Sequence, residues 1–250
     1  MASIDISEEA GVRYLHFGSH WIQGAMRIAR PWALELDYTR DMMVPLLLRP
    51  KRGWPRSVLQ VGLGAASITK FLYRNRPQAK LTVVEISPDV VTAAWQFFKL
   101  PDDAARLTVD IGDGHAYMAA SRARFDLIMI DGFDAKGRAG MLDTVPFYCN
   151  CRARLADDGI LVTNLLSRRR GAAPGLSPIR EAFEERALAL PACEAGNTIV
   201  LATAGAPIHA SFDELRSAAR ALKADTGLNL LPTVAGMVAM YGSGGADILL

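Results

Sequence analysis

The sequence predicts a Rossmann-like α/β fold with a mostly parallel sheet, preceded by a small N-terminal β-hairpin segment. Three observations predict it. Short apolar runs alternate with amphipathic stretches at the spacing of βαβ units. The runs are apolar at nearly every position, as in strands covered by helices on both faces. The first run, "SVLQVGL", feeds a glycine-rich turn, "GLGAAS" at 62–67, which opens directly into a helical pattern.

The elements follow in order. "VRYLHFGSHWIQGAMRI" holds two β-rich runs flanking "GS", which reads as a hairpin. "LELDYTRDMMVPLLLRP" has apolar residues at helical spacing and a stop at Pro50. "SVLQVGL" is a buried strand and "ASITKFLYRNRP" a helix ended by Pro77. "KLTVVEI" is the next strand. "SPDVVTAAWQFFKL" is a helix with Ser87 as N-cap and Pro88 at its first position. "RLTVDIGDG" is a strand, "AYMAASRA" a short helix and "FDLIMIDGF" a strand. "VPFYCNCRARLADDG" is a helix leading through a turn at 155–159 into the strand "ILVTNLL". The helix "SPIREAFEERAL", the strand "NTIVLATAG", the helix "SFDELRSAARALKADTG" and a weakly patterned tail complete the chain. Residues 1–50 form the hairpin and helix segment, and residues 51–250 the main domain.

Composition excludes several classes. The 250 residues carry a net charge of +2, too little for a nucleic-acid footprint. The run "SRRR" at 167–170 reads as a solvated loop. Cys149, Cys151 and Cys193 make neither a disulfide framework nor a CxxC or zinc motif; they read as buried thiols in a reducing compartment. His16, His20, His115 and His209 show no metal spacing. "MASIDISEEAG" has no apolar core of a signal peptide, and "LNLLPTVAGMVAMYG" is too short and broken to span a bilayer. A soluble, cytoplasmic protein is expected, with neither nucleic-acid nor membrane partners.

The glycine turn alone fits a dinucleotide or an adenosyl-sulfonium ligand. In both, Gly62 permits a tight turn and Gly64 lets backbone approach the ligand. Glu85, ending its strand, is placed to accept from ribose hydroxyls. The following strand separates the two ligands. It ends in "IGDGHAY", where Asp113 can accept from an adenine amine and Gly114 leaves room for the ring. Glycine turn, Glu85, Asp113 and "DLIMIDGF" follow the order of a class I S-adenosylmethionine-binding domain of the methyltransferase type.

These residues resemble the spermidine synthase family of aminopropyltransferases, from about residue 11 to 166. The hairpin glutamine of that family is matched by Gln23, and the tyrosine of its following helix by Tyr38. "VEI" at 84–86 and "GDG" at 112–114 match its strand ends, and "DGFD" its Asp-x-x-Asp loop through Asp131 and Asp134. Phe147 and Tyr148 match the pair opening its next helix. The chain departs from the family at Ala65, where an acid faces the donor's aminopropyl ammonium. It departs also at Thr39 for histidine and Asn164 for glutamine.

The resemblance implies aminopropyl transfer from decarboxylated S-adenosylmethionine to a small-molecule amine of polyamine type, without a metal. An alkyl ammonium with a pKa of about 10 must lose a proton before it attacks. Asp131 is the expected base and Asp134 the holder of a distal ammonium, with Gln23, Tyr38 and Tyr148 around the acceptor. Turn capping is the competing reading for both aspartates. A plain hairpin residue competes for Gln23, and a core residue for Tyr38. Ala65 favours the alternative of a methyltransferase using intact S-adenosylmethionine. A non-catalytic ligand- or partner-binding domain is the third reading. The hairpin's free edges suggest a homodimer.

Overall fold

In a computed structural model the described residues are 3–18, 21–134, 137–166, 175–193, 196–242 and 247–250. The "SRRR" run and His20 lie outside them.

The chain opens with three antiparallel strands, β1 (Ile4–Glu9), β2 (Val12–Phe17) and β3 (Ile22–Arg27). The predicted hairpin is β2–β3, and β1 adds a strand that the sequence pattern did not reveal. Leu15 and Met26 on this sheet pack against Ala65 and Phe98 of the main domain. The single helix expected before Pro50 is two short ones, α1 (Asp37–Asp41) and α2 (Pro45–Leu48). Pro45 is the reason: its ring removes an N–H that a continuous helix would use, yet suits a first turn. Residues of α2 are buried in the same apolar core as Val58 and Leu81.

The remaining elements build one seven-stranded sheet. They are β4 (Ser57–Val61), α3 (Ser67–Asn75), β5 (Lys80–Glu85), α4 (Pro88–Phe98), β6 (Leu107–Ile111), α5 (Gly114–Ala120) and β7 (Phe125–Ile130). A 3-10 turn at Gly140–Asp143 precedes α6 (Val145–Arg154), β8 (Leu155–Leu166), α7 (Ser177–Ala182), β9 (Ala187–Ala189) and β10 (Asn197–Thr203). The strand order is β6-β5-β4-β7-β8-β10-β9. The first five are parallel; β10 runs antiparallel to β8, and β9 to β10. Strand β9 occupies sequence expected to continue α7. That helix ends earlier because Glu184 and Glu185 take positive φ, outside helical space. The turn expected at 155–159 is already part of β8.

Beyond β10, the pair β11 (His209–Ala210) and β12 (Ile248–Leu249) frames α8 (Phe212–Thr226) and α9 (Leu231–Tyr241). Consecutive strand residues point to opposite faces. Thus Val58 and Met129 join the core with α3, α4, α8 and α9, while Leu59 and Ile130 join the core under α6 and α7. Strand order reverses on either side of β4, so the crevice outside the carboxyl ends of β4 and β7 is where such sheets hold ligands. Among the described residues no helix is long and apolar enough to cross a membrane.

Candidate active site

The glycine turn is shaped first by protein packing. Gly62 has φ +90°, and its N–H donates to the Val84 carbonyl at 2.9 Å. Asp131 N–H donates to the Val61 carbonyl at 2.9 Å, which draws the end of β7 against the turn. A Cβ on Gly62 would lie 2.2 Å from the Asp131 carbonyl oxygen. A Cβ on Gly114 would lie 2.3 Å from Val61 Cγ1. Close packing thus accounts for the bareness of both glycines, and both still line the crevice. From above, β3 closes on the turn. A Cβ on Gly64 would touch the Gln23 carbonyl at 3.4 Å, and one on Gly24 would lie 2.6 Å from Ala65 Cβ.

The crevice is a cavity of about 1420 Å³. Gln23, Tyr38, Gly62, Gly64, Glu85, Asp113, Gly114, Asp131 and Asp134 all line it. Tyr148 does not. It is fully buried in α6, beside Phe147, and its hydroxyl donates to Asp143 at 3.2 Å. Its place is beneath the site, so the expectation of a wall residue is corrected: the inner face of α6 carries it into the core.

Glu85 is 7% exposed, and its carboxylate accepts backbone N–H groups, Leu63 at 2.8 Å on one oxygen and Ser87 at 2.9 Å on the other. Burial raises its pKa, and these donors oppose the rise. Asp113 caps α5, accepting from Ala116 N–H at 3.0 Å through one oxygen. Asp113 also lines the cavity. His115, next in line, stacks on Phe147 at 6.2 Å.

Asp131 sits at the centre. Asn164 Nδ2 donates to its Oδ1 at 2.9 Å and the Tyr38 hydroxyl to its Oδ2 at 3.2 Å. Burial pushes the carboxyl up from the usual range; the two donors pull it back, and the nearby Glu85 charge adds to the rise. Burial and the Asp131 charge also push the Tyr38 hydroxyl well up, so it stays a proton donor. Asn197 Nδ2 in turn donates to Asn164 Oδ1 at 3.0 Å. Sequence reasoning passed over Asn197. Its signal was a polar residue opening an apolar strand, which must find a partner once buried.

Asp134 lies in the loop after β7 and is held by Arg138. The Arg138 backbone N–H donates at 3.0 Å, and its guanidinium donates and ion-pairs at 2.7 Å. A second tie runs behind the cavity. Cys193, which lines it, donates Sγ–H to Asp41 at 3.2 Å, and Thr233 of α9 donates to the other Asp41 oxygen at 2.6 Å. Burial and Asp41 push the Cys193 thiol up to about 12. Among the described residues no group of three His, Cys, Asp or Glu is placed to hold a metal ion.

Chemically, the site sets two strand-end carboxylates, Glu85 and Asp113, beside a half-buried carboxylate, Asp131, whose proton affinity is raised. Known proteins resemble this chain in sequence and fold. The chain is 34% identical to a polyamine aminopropyltransferase of Neisseria meningitidis serogroup A, over 94% of the chain and 89% of that protein. It is also 34% identical to one of Chromobacterium violaceum, over 91% and 86%. A probable spermidine synthase from Corynebacterium glutamicum superposes with TM-score 0.72 at 20% identity, covering 98% of this chain and 92% of that one. A spermidine synthase complexed with the transition-state analogue AdoDATO gives TM-score 0.55 at 20% identity, covering 81% and 74%. These two likenesses concern the fold. The spermine/spermidine synthase domain model matches residues 35–167, more than half of the sequence, and with relatives a third identical along nearly their whole length, the chain belongs to that family.

Proposed function

We propose that the protein is a polyamine aminopropyltransferase that takes decarboxylated S-adenosylmethionine as donor and an amine of polyamine type as acceptor. The observation that carries the proposal is the half-buried Asp131, ringed by Tyr38 and Asn164 beside the adenosyl edge. The residues fit the donor: Glu85 retains acceptor capacity for its ribose, and Asp113 for its adenine. Its sulfonium, when bound, makes the adjacent aminopropyl carbon electrophilic.

Asp131 accepts the proton of the attacking amine. As the nitrogen–carbon bond forms, the carbon–sulfur bond breaks and its electron pair stays on sulfur, leaving methylthioadenosine. Tyr38 and Asn164 fix the carboxylate so that its basic oxygen faces the nitrogen. Gln23, carried over the turn by β3, covers the transferred group. Asp134 faces the acceptor's outer end, with its charge already shared with Arg138.

Ala65 favours a second reading, methyl transfer from intact S-adenosylmethionine, because no carboxylate stands at that position for a tail ammonium. Mass spectrometry separates the two, since one reaction adds a three-carbon amine and the other a single carbon. With decarboxylated donor, Asp131→Asn should lower turnover about 10²–10⁴-fold and leave methylthioadenosine binding intact. Glu85→Ala should weaken that binding roughly ten- to a hundredfold. Turnover retained in Asp131→Asn would remove it as the base, and methylated product alone would establish the second reading.

A further inference from the structure

Asp134 and Arg138 close a tight turn on the cavity wall. Along the backbone, Asp134 N–H donates to the Arg138 carbonyl at 3.0 Å, and Gly137 N–H to the Asp134 carbonyl at 2.9 Å. Through the side chains, Arg138 N–H donates to Asp134 Oδ1 at 3.0 Å, while Nε and Nη2 both reach Oδ2 at 2.7 Å. Packing holds the turn independently of the guanidinium. A Cβ on Gly137, at φ +68°, would lie 3.0 Å from Leu166 Cδ2 at the end of β8 and 3.2 Å from Trp21 Cζ3, just before β3.

The sign of the charge makes Arg138 notable. Among the described residues it is the one lysine or arginine that lines the cavity, beside the carboxylates Glu85, Asp113, Asp131 and Asp134. An amine of polyamine type enters as a cation, with a pKa of about 10. A guanidinium never gives up its proton in that range, so its charge always stands where a second ammonium would come. Two cations on one carboxylate repel each other. The guanidinium is the one that can leave, because it ends a flexible stem and its side chain is 58% exposed. The backbone tie to Oδ1 does not depend on it and keeps the carboxylate in place.

We propose that Arg138 is an acceptor-specificity residue: its guanidinium occupies Asp134 until the far ammonium of the acceptor replaces it. This rests on the amine-acceptor reading above and deepens it. An acceptor with a second ammonium binds by exchanging one cation for another at Asp134. A monoamine leaves the pair closed and binds through its reacting nitrogen alone. Partly exposed ion pairs are weak enough to exchange, so the guanidinium lowers diamine affinity by up to roughly fivefold.

Calorimetry on the protein saturated with methylthioadenosine tests this with butane-1,4-diamine and butylamine. Arg138→Gln should raise diamine affinity several-fold and leave butylamine affinity unchanged. The gain should vanish when Asp134→Asn is also present, and Arg138→Lys, which keeps the charge, should stay near the wild type. Diamine affinity should also fall more steeply with salt in Arg138→Gln, because the carboxylate it meets is no longer neutralised. Diamine affinity that is unchanged or lowered in Arg138→Gln overturns the exchange, as does an equal gain for both amines or a gain that survives without Asp134. Retained methylthioadenosine binding shows that each variant is folded. Binding is read without turnover, so the two readings fail separately. Exchange with no transfer from decarboxylated donor would sink the transfer reading alone, and transfer with no effect of Arg138→Gln would sink the exchange alone.

Discussion

Asn197 donates to Asn164, Asn164 donates to Asp131, and Tyr38 donates to the other Asp131 oxygen. A carboxamide has one accepting and one donating end. By occupying the accepting end of Asn164, Asn197 turns the donating end toward Asp131. Each donor favours the ionised carboxylate, against the burial that disfavours it. The sign follows. Asp131 works as a base only when deprotonated, so activity falls as pH drops through its raised pKa. Asn197→Ala releases Asn164 and weakens the opposing pull, so the acidic limb of the kcat profile should move to higher pH. Turnover should recover above the limb, and methylthioadenosine affinity should not change. A uniform loss at every pH would mean that Asn197 serves folding alone.

At the scale of elements, the turn between β4 and α3 is fixed by β7. Gly62→Ala would place a Cβ 2.2 Å from the Asp131 carbonyl oxygen, on a backbone with φ +90°. Urea unfolding should show a loss of about 3 kcal/mol or more; an unmoved midpoint would refute the claimed contact. This turn was legible in the sequence because a buried strand, glycines and a helical pattern adjoin along the chain. So were the parallel strands, whose apolar runs need no partner to be recognised, and the cap at Ser87, which accepts from Val90 N–H. The cavity-lining places of Glu85, Asp113 and Asp131 were legible too, because each ends a strand at the sheet's carboxyl edge. What escaped depends on distant partners. Strand β1, "IDISEE", is largely exposed and holds its form by pairing with β2. Strand β9 is three residues that exist through β10. Tyr148 faces inward for reasons of helix orientation, and Asn197 finds its use only across β8 and β10.

Across the whole molecule, one buried cation couples stability to pH. Lys70 on α3 is 1% exposed, and its Nζ donates to the Phe98 carbonyl at 2.7 Å, where α4 ends below the N-terminal sheet. Burial, helped by the neighbouring Lys99 charge, lowers its pKa from 10.5 to about 7. Between those values the unfolded chain holds the proton and the folded chain does not, so stability rises with pH across that window. Below it the cost of the buried charge is present in full. The slope for one proton is at most about 1.4 kcal/mol per pH unit. Lys70→Met should lose this climb and exceed the wild type most at pH 6, a difference read from paired unfolding curves; parallel curves across pH 6–10 would refute it. The hydrogen-bonded chain from Tyr38 to Asn197 has a further consequence. Tyr38 and Asp131 lie 93 positions apart, and the two asparagines 33 apart. Contributors so scattered meet only after α1, β7, β8 and β10 have all docked, and no fragment or half-assembled intermediate holds a working share of them. Specific activity therefore counts completed molecules in a preparation, whereas circular dichroism also counts chains whose helices have formed around an unfinished centre.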